Sequence, residues 1–237
     1  TVDAAVATSL DVLANDKGDL DPSTVSVTSG PAHGTASVLA SGEIEYTSNA
    51  LFSGTDTFVY RVFDFYGSAA SATVTITVRP TTRPAVGSVP VHGVTAMYPL
   101  AGSAGNLDPA TLALATAPPN GEWTWDAATL TGVYAATGEW SGIFATTFTV
   151  CDRETPAVCP TSDFTVTVLP TTQADAESTP YQTAVVLDVL ANDHGSLIPS
   201  TVAIGTPPAH GTTVIDPATG AITYTPAAGW SGADPFT

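Results

Sequence analysis

Internal repetition constrains the fold of this chain more than any other feature of its sequence. The segment Asp11–Asp16, with the sequence DVLAND, recurs as Asp188–Asp193. Two further segments, PSTV and PAHG, recur at the same offset: Pro22–Val25 as Pro199–Val202, and Pro31–Gly34 as Pro208–Gly211. Because several matches share one offset, they indicate duplicated structural units and not coincidence.

A more diverged copy lies between these two. Leu107–Pro109 matches Leu20–Pro22. An aromatic residue followed by Ser-Gly occurs in every copy: Phe52–Gly54, Trp140–Gly142 and Trp230–Gly232. The spacing of about 87–90 residues per copy is that of one small domain. We therefore predict three domains with short Pro- and Thr-rich linkers, and we name them unit 1 (residues 1–79), unit 2 (80–169) and unit 3 (170–237).

Alternating β-branched residues indicate strands along the whole chain. Ala72–Val78 and Phe164–Val168 alternate Thr with Val or Ile, at the period of two that is typical of a half-buried strand. In unit 1 the pattern predicts strands near Ser9–Leu13, Thr24–Thr28, Thr35–Leu39, Glu43–Thr47, Asp56–Phe63 and Ser71–Val78. A strand about every ten residues is what an immunoglobulin-like (Ig-like) sandwich requires. We predict an all-β chain of tandem Ig-like β-sandwich domains.

The repeated motifs also carry a family resemblance. V-L-A-N-D, P-S-T-V, P-A-H-G-T and a closing T-V-T-I-T-V resemble the tandem Ig-like, cadherin-like repeats of large bacterial surface proteins and adhesins. The resemblance covers nearly the whole chain and is weaker in unit 2, which has Ala104–Gly105 in place of the Asn-Asp step. It implies a secreted, extracellular repeat region that spaces or presents a binding element, and it does not imply catalysis.

Charge and missing motifs narrow the function classes. Lys and Arg number 5 against 22 Asp and Glu, so the formal net charge is −17, and such a surface repels nucleic acids and anionic membranes. No apolar run has the length of a membrane span, and no signal peptide opens the sequence, so any targeting segment has been removed or lies outside it. Nucleophile elbows, phosphate-binding loops and zinc-protease motifs are missing. We predict that the chain is not an enzyme.

The last copy ends early relative to the first. Thr237 aligns near Val59, so unit 3 lacks a counterpart of Tyr60–Val78, while unit 1 begins about seven residues later in the repeat than unit 3 does. Either this sequence is a piece of a longer array, or a neighbouring chain donates the missing strand by β-augmentation. The second alternative makes the protein a subunit of an extracellular filament, with head-to-tail contacts between copies.

Two cysteines, Cys151 and Cys159, fall at the ends of the two strands of the last predicted hairpin of unit 2. This placement predicts a disulfide that closes the hairpin, which fits an extracytoplasmic location. A metal site would need further Cys or His at close spacing, and the sequence around them has none.

Acidic and amide side chains cluster on the loops of units 1 and 3. These residues are Asn15, Asp16, Asp19, Asp21 and Asp64, with Asn192 and Asp193 in unit 3. Grouped oxygen ligands of this kind are what Ca²⁺ binds, and the resemblance to cadherin-like repeats implies calcium near domain junctions. The alternative is that they cap turns through their own backbone. Calcium is the only cofactor that the sequence indicates.

Aromatic and histidine residues complete the list of candidates. Trp123 and Trp125 stand two apart on a predicted strand and so share one face. They pack in the core or form an exposed platform for a sugar ring, in which case the chain is a carbohydrate-binding accessory module of a secreted hydrolase. His33 and His210 occupy equivalent P-A-H-G turns and are interpreted as turn residues. His92 and His194 have no recognisable companions.

Overall fold

The computed structural model describes residues 1–237. Unit 1 contains strands β1 (Val2–Asp3), β2 (Thr8–Leu10), β3 (Leu20–Ser29), β4 (Gly34–Val38), β5 (Ile44–Ser48), β6 (Gly54–Asp64) and β7 (Ala69–Arg79). They form two sheets, in the orders β1-β7-β6-β3 and β2-β5-β4. The long β6–β7 hairpin is antiparallel, whereas β1 pairs in parallel with the end of β7. Two facing sheets with this mixture of pairings form a β-sandwich.

Unit 2 repeats the same topology. Its strands are β8 (Ala85–Pro90), β9 (Val94–Met97), β10 (Leu107–Leu114), β11 (Gly121–Asp126), β12 (Thr131–Ala136), β13 (Gly142–Asp152) and β14 (Thr161–Leu169). The sheet orders are β10-β13-β14-β8 and β11-β12-β9. As in unit 1, the first strand of the unit runs parallel to the last, β8 beside β14. The all-β class and the tandem sandwich architecture predicted from the sequence are confirmed.

Unit 3 contains one three-stranded sheet. Strands β15 (Val185–Leu187), β16 (Gly211–Ile215) and β17 (Ile222–Pro226) pair in the order β15-β17-β16. This sheet is the counterpart of β2-β5-β4 in unit 1. The segment equivalent to β3 holds a 3₁₀ turn at Pro199–Thr201, and the backbone N–H of Thr206 donates to the carbonyl of Thr237.

The strands of units 1 and 2 bury alternate residues, as the period of two predicts. The fully buried side chains include Tyr46 and Phe58 in unit 1, and Tyr134, Phe148 and Phe164 in unit 2. They belong to two separate apolar clusters, one in each sandwich. No helix in the structure is long and apolar enough to cross a membrane.

Strand β3 is longer than the sequence indicates. It was expected near Thr24–Thr28 and spans Leu20–Ser29, so it begins four residues before the predicted strand. Its pairing with β6 shifts register between Asp21 and Ser26. A bulge of this kind lets a strand contain Pro22, which a reading based on alternation alone treats as a turn.

Candidate functional site

The predicted disulfide is present. Cys151 lies in β13 and Cys159 just before β14, and their sulfur atoms are 2.02 Å apart. Inside the closed loop the carboxylate of Asp152 is buried, and it accepts hydrogen bonds from the backbone N–H groups of Val158 (2.8 Å) and Glu154 (3.4 Å). Covalent and polar contacts together therefore fix the shape of this loop.

Asp16, one of the predicted calcium ligands, binds a tyrosine of its own unit. The Tyr60 hydroxyl lies 2.5 Å from the Asp16 carboxylate and 3.0 Å from the carbonyl of Val12. Burial of the phenol, with the hydrogen bond to Asp16 and its negative charge, raises the pKa of Tyr60 to about 12. The contact pins the Asp16 loop to strand β6.

Asp21 and Asp64 cap turns. Asp21 accepts hydrogen bonds from the N–H and the hydroxyl of Ser23, at 3.0 and 2.6 Å. Asp64 accepts hydrogen bonds from the N–H groups of Ser68 and Tyr66, at 2.7 and 2.9 Å, and those bonds, that from Ser68 foremost, hold the pKa of Asp64 below its usual value. These are the local contacts that Asp makes in tight turns.

The other acidic-loop residues do not join them in a common ligand set. Asn15 and the Asp19 side chain are exposed. In unit 3, Asp193 accepts a hydrogen bond from the Gln173 N–H at 2.7 Å, and the Asn192 amide donates to the Ala174 carbonyl at 3.4 Å. Ligand atoms of three His, Cys, Asp or Glu residues converge at one place in this chain, and it lies outside this set. Calcium binding stays a prediction.

The two candidate sugar-binding tryptophans are half-buried. The Trp123 ring meets Phe164 edge-on, with centroids 4.8 Å apart, and it covers Gly132 so closely that a Cβ there would lie 1.7 Å from the indole. The Trp125 indole N–H donates to the carbonyl of Pro109 at 2.8 Å. These contacts favour packing within unit 2 over an exposed aromatic platform.

The histidines of the P-A-H-G turns lie in equivalent structures. His33 stacks on Phe52 with ring centroids 4.2 Å apart, and His210 lies over Trp230 at 3.6 Å. In unit 1 a buried carboxylate, Asp56, accepts hydrogen bonds from the N–H groups of Ala32 and His33 at 3.0 Å each, and from the Tyr46 hydroxyl at 2.9 Å. A carboxylate thus holds the turn against the core.

Unit 3 repeats this arrangement. Asp234 accepts hydrogen bonds from the N–H groups of Ala209 and His210, at 2.9 Å each, and from the Tyr224 hydroxyl at 2.8 Å. Burial acts to raise the pKa of Asp234, but the bonds from Tyr224 and the two N–H groups outweigh it, and the pKa lies below its usual value. Sequence reasoning missed both aspartates, although Asp56 and Asp234 align in the repeat.

Each linker pairs with a loop of the unit that follows it. Thr81 forms an antiparallel bridge with Ala104, with N–H to carbonyl distances of 2.8 and 3.0 Å. Thr171 forms the equivalent bridge with His194, and both distances are 2.9 Å. The linkers are therefore hydrogen-bonded parts of the structure.

The same loop also contacts the preceding unit. Between units 1 and 2, the N–H of Gly105 donates to the Ala50 carbonyl (2.8 Å), and the N–H of Asn106 donates to the Ser53 hydroxyl (3.1 Å). Between units 2 and 3, Ser141 and Ser196 exchange two bonds, from each backbone N–H to the other hydroxyl, at 3.2 and 2.9 Å. Both junctions thus join the aromatic-Ser-Gly turn of one unit to the loop of the next.

A glycine at each junction permits this close approach. Gly105 and Gly195 have φ of +107° and +128°, and a Cβ on either would lie 2.7 or 2.8 Å from the Cβ of Pro80 or Pro170. Gly18 occupies the same loop position in unit 1, so Ala104–Gly105 correspond to Lys17–Gly18 and not, as the sequence had indicated, to the Asn-Asp step. Gly18 has φ +113° and no atom within 4 Å of such a Cβ. Glycine is therefore required at the junctions for two reasons, the left-handed backbone conformation and the lack of space for a Cβ.

A cluster of two histidines and a glutamate lies at the junction of units 2 and 3. Glu139 is 3.2 Å from the Nε2 of His92 and 3.1 Å from the Nδ1 of His194, through different carboxylate oxygens. The expectation that His92 and His194 have no companions was wrong, because the partners come from two units far apart in sequence. His194 lies in a linker bridge, whereas His92 lies in the turn after β8, and no sequence pattern connected the two.

Comparison with known proteins finds distant similarities. No curated protein matches the sequence. The protocadherin γB4 extracellular domain is 13% identical over 91% of this chain and 41% of its own, with a TM-score of 0.32. The human desmocollin-1 ectodomain is 13% identical over 95% and 52%, with a TM-score of 0.27. An endo-fucoidan hydrolase of glycoside hydrolase family 107 is 16% identical over 71% and 28%, with a TM-score of 0.27. The chain thus spans less than two thirds of the length of these structures.

A family model supplies the stronger result. The model described as bacterial Ig domain matches residues 1–77 and 167–237, that is, unit 1 and the linker with unit 3. Unit 2 falls between the matched ranges, in agreement with its divergence in sequence, but it has the same sheet topology as unit 1. Since the matched ranges make up more than half of the sequence, the protein belongs to the bacterial Ig domain family.

Proposed function

We propose that this chain is part of an extracellular repeat region of a bacterial surface protein, in which Ig-like domains at 1–79, 80–169 and 170–237 space or present a binding element. The observation that carries the proposal is that both junctions are built from equivalent contacts. A linker bridge, a Ser-Gly turn and a loop glycine recur at each of them. Repetition of a hydrogen-bonded junction is what a spacer of defined geometry needs.

The chemistry of the chain agrees with this role. The formal charge of −17 keeps repeat units apart in solution and opposes collapse of one unit on another. The Cys151–Cys159 disulfide is of the kind found in oxidising compartments outside the cytoplasm. The partners of such a region are other repeats of the same kind and the surface proteins or glycans that its tip meets.

The test is small-angle X-ray scattering of the full chain with its disulfide intact. A spacer with fixed junctions gives a scattering profile that one conformation fits, and the fit does not improve with an ensemble. In the Gly105→Val variant, the junction of units 1 and 2 opens, and an ensemble becomes necessary. Gly18→Val is the matched control, since it places the same side chain at the same loop position without a junction contact. A wild-type profile that already requires an ensemble of unit orientations contradicts the proposal.

Two alternative functions, a filament subunit and a carbohydrate-binding module, predict different results for the same protein sample. If the chain assembles into a filament by strand donation, subunits add head to tail. The molecular mass measured by light scattering then increases with protein concentration. If the chain is a carbohydrate-binding module, it binds to glycans on an array, and this binding disappears in a Trp125→Ala variant that still folds. A chain that stays monomeric and binds no glycan supports the spacer role.

A further inference from the structure

The cluster at the junction of units 2 and 3 has the geometry of a metal site. His92 lies in the turn after β8, Glu139 lies between β12 and β13, and His194 lies on the loop that pairs with the linker. Their three ligand atoms all lie within 4.8 Å of one another, and the two imidazole rings are 5.0 Å apart at an interplanar angle of 70°. The rings therefore aim at the carboxylate from different directions.

We propose that His92, Glu139 and His194 bind one divalent transition-metal ion of the Zn²⁺ class and thereby clamp unit 2 to unit 3. Zinc lies about 2.0–2.2 Å from imidazole nitrogen and carboxylate oxygen, so ligand atoms around a tetrahedral ion are about 3.3–3.6 Å apart. The observed nitrogen–oxygen distances of 3.2 and 3.1 Å, one to each carboxylate oxygen, are close to that separation, and the three ligand atoms need to move inward from within 4.8 Å of one another to hold an ion. Two histidines and one glutamate fill three positions of such an ion, and water takes the fourth.

The donor set selects the class of metal. Imidazole nitrogen suits zinc, nickel and copper, whereas Ca²⁺ takes six to eight oxygen ligands, which one carboxylate does not supply. The side chains of His92 and Glu139 are 46% and 61% exposed, so an ion reaches them from solvent without any opening of the fold. Because the ligands come from two units, the site forms only when the junction is closed.

The first junction provides an internal control. The repeat places Ala5, Leu51 and Ala104 at the positions of His92, Glu139 and His194, so the junction of units 1 and 2 has no metal ligand in any of these places. Ala5 and His92 share the same left-handed backbone, with φ of 58° and 60°. The turn conformation therefore belongs to the repeat and not to metal binding, and the predicted stoichiometry is one ion per chain.

Metals are first removed from the full, disulfide-bonded chain with EDTA. ZnCl₂ is then titrated into the protein, and the heat of binding is measured by calorimetry. We expect one ion per chain, and at least tenfold weaker binding in Glu139→Gln and in His194→Ala, since loss of groups that merely orient a ligand already costs about 10–100-fold. Glu122→Gln is the matched control, because Glu122 is exposed on β11 of the same unit and loses the same charge. Circular dichroism establishes that each variant is folded.

A second measurement locates the ion. In NMR spectra the imidazole signals of His92 and His194 shift together on addition of zinc, while those of His33 and His210 stay in place. Unchanged affinity in both Glu139→Gln and His194→Ala, absence of binding at millimolar zinc, or shifts at His33 or His210 instead would each overturn the proposal. The site goes beyond the proposed spacer function, and the scattering test of that function, made without metal, is independent of the outcome.

Discussion

Substitution of the junction glycine Gly105 by alanine tests whether the close packing of the linker against the loop at the junction contributes to stability. At a φ of +107°, a Cβ costs about 1–2 kcal/mol in any left-handed backbone. It would also lie 2.7 Å from the Cβ of Pro80. Overpacking of this kind costs about 1–3 kcal/mol in addition. We therefore expect Gly105→Ala to destabilise unit 2 by about 2–5 kcal/mol.

Urea unfolding followed by tryptophan fluorescence measures this cost in unit 2. Three of the four tryptophans in the chain, Trp123, Trp125 and Trp140, lie in that unit, and unit 1 has none. Gly18→Ala is the control, and its unfolding is followed by circular dichroism. It has only the cost of the left-handed backbone, because no atom lies near its Cβ. The difference of about 1–3 kcal/mol corresponds to a midpoint shift of roughly 0.5–1.5 M urea when the slope is about 2 kcal/mol per M. Equal losses in the two variants would refute the argument that the junction is packed.

Further predictions concern the turns and the disulfide. The pKa of Asp64 is lowered in the folded chain, so its stabilising effect is present above its usual pKa of 3.8 and is lost as the pH falls through the folded value. The difference in melting temperature between Asp64→Asn and wild type should therefore be seen at pH 6 and shrink as the pH falls below 3.8. Removal of the disulfide in the double variant Cys151→Ser/Cys159→Ser should cost about 2–3 kcal/mol by the chain-entropy estimate for a short loop, as a lower urea midpoint of unit 2. Asp56→Ala should cost about 3–5 kcal/mol, since the hydrogen bonds from Ala32, His33 and Tyr46 to a charged acceptor are lost together at about 1.5 kcal/mol each. Tyr46→Phe removes one of these bonds and should cost about 1 kcal/mol. Thermal unfolding followed by circular dichroism compares the two variants.

The sequence predicts those features that are periodic or local. Alternating residues predict the strands, and the disulfide joins the two ends of one hairpin, so nothing distant was needed to find it. The extent of β3 was missed because Pro22 sits at an irregular register that only the pairing with β6 reveals. Asp21 and Asp64 illustrate the converse problem, because the same residue types cap turns and bind calcium, and composition does not distinguish the two.

The residues that sequence reasoning missed are those whose partners come from elsewhere in the fold. Asp56 holds a turn more than twenty positions earlier in the chain, and it appears only when units 1 and 3 are compared column by column. The cluster of His92, Glu139 and His194 is assembled from two units, so a search within one unit does not find it. In unit 2 the counterpart of Asp56 is Phe144, and the histidine turn is absent from the same unit, which shows the two positions changing together.

The two surfaces that meet at a junction differ from each other, since one unit contributes a Ser-Gly turn and the next contributes a loop with a glycine. Each unit carries the turn at one end and the loop at the other, as Trp140–Gly142 and Gly105 do in unit 2. Units joined in this way follow one another by one repeated rotation and rise, and the array stays open unless that rotation closes it into a ring. Any small change of angle at the joint is added once for every unit, so the pitch and reach of a long array are set by a few atoms around one glycine.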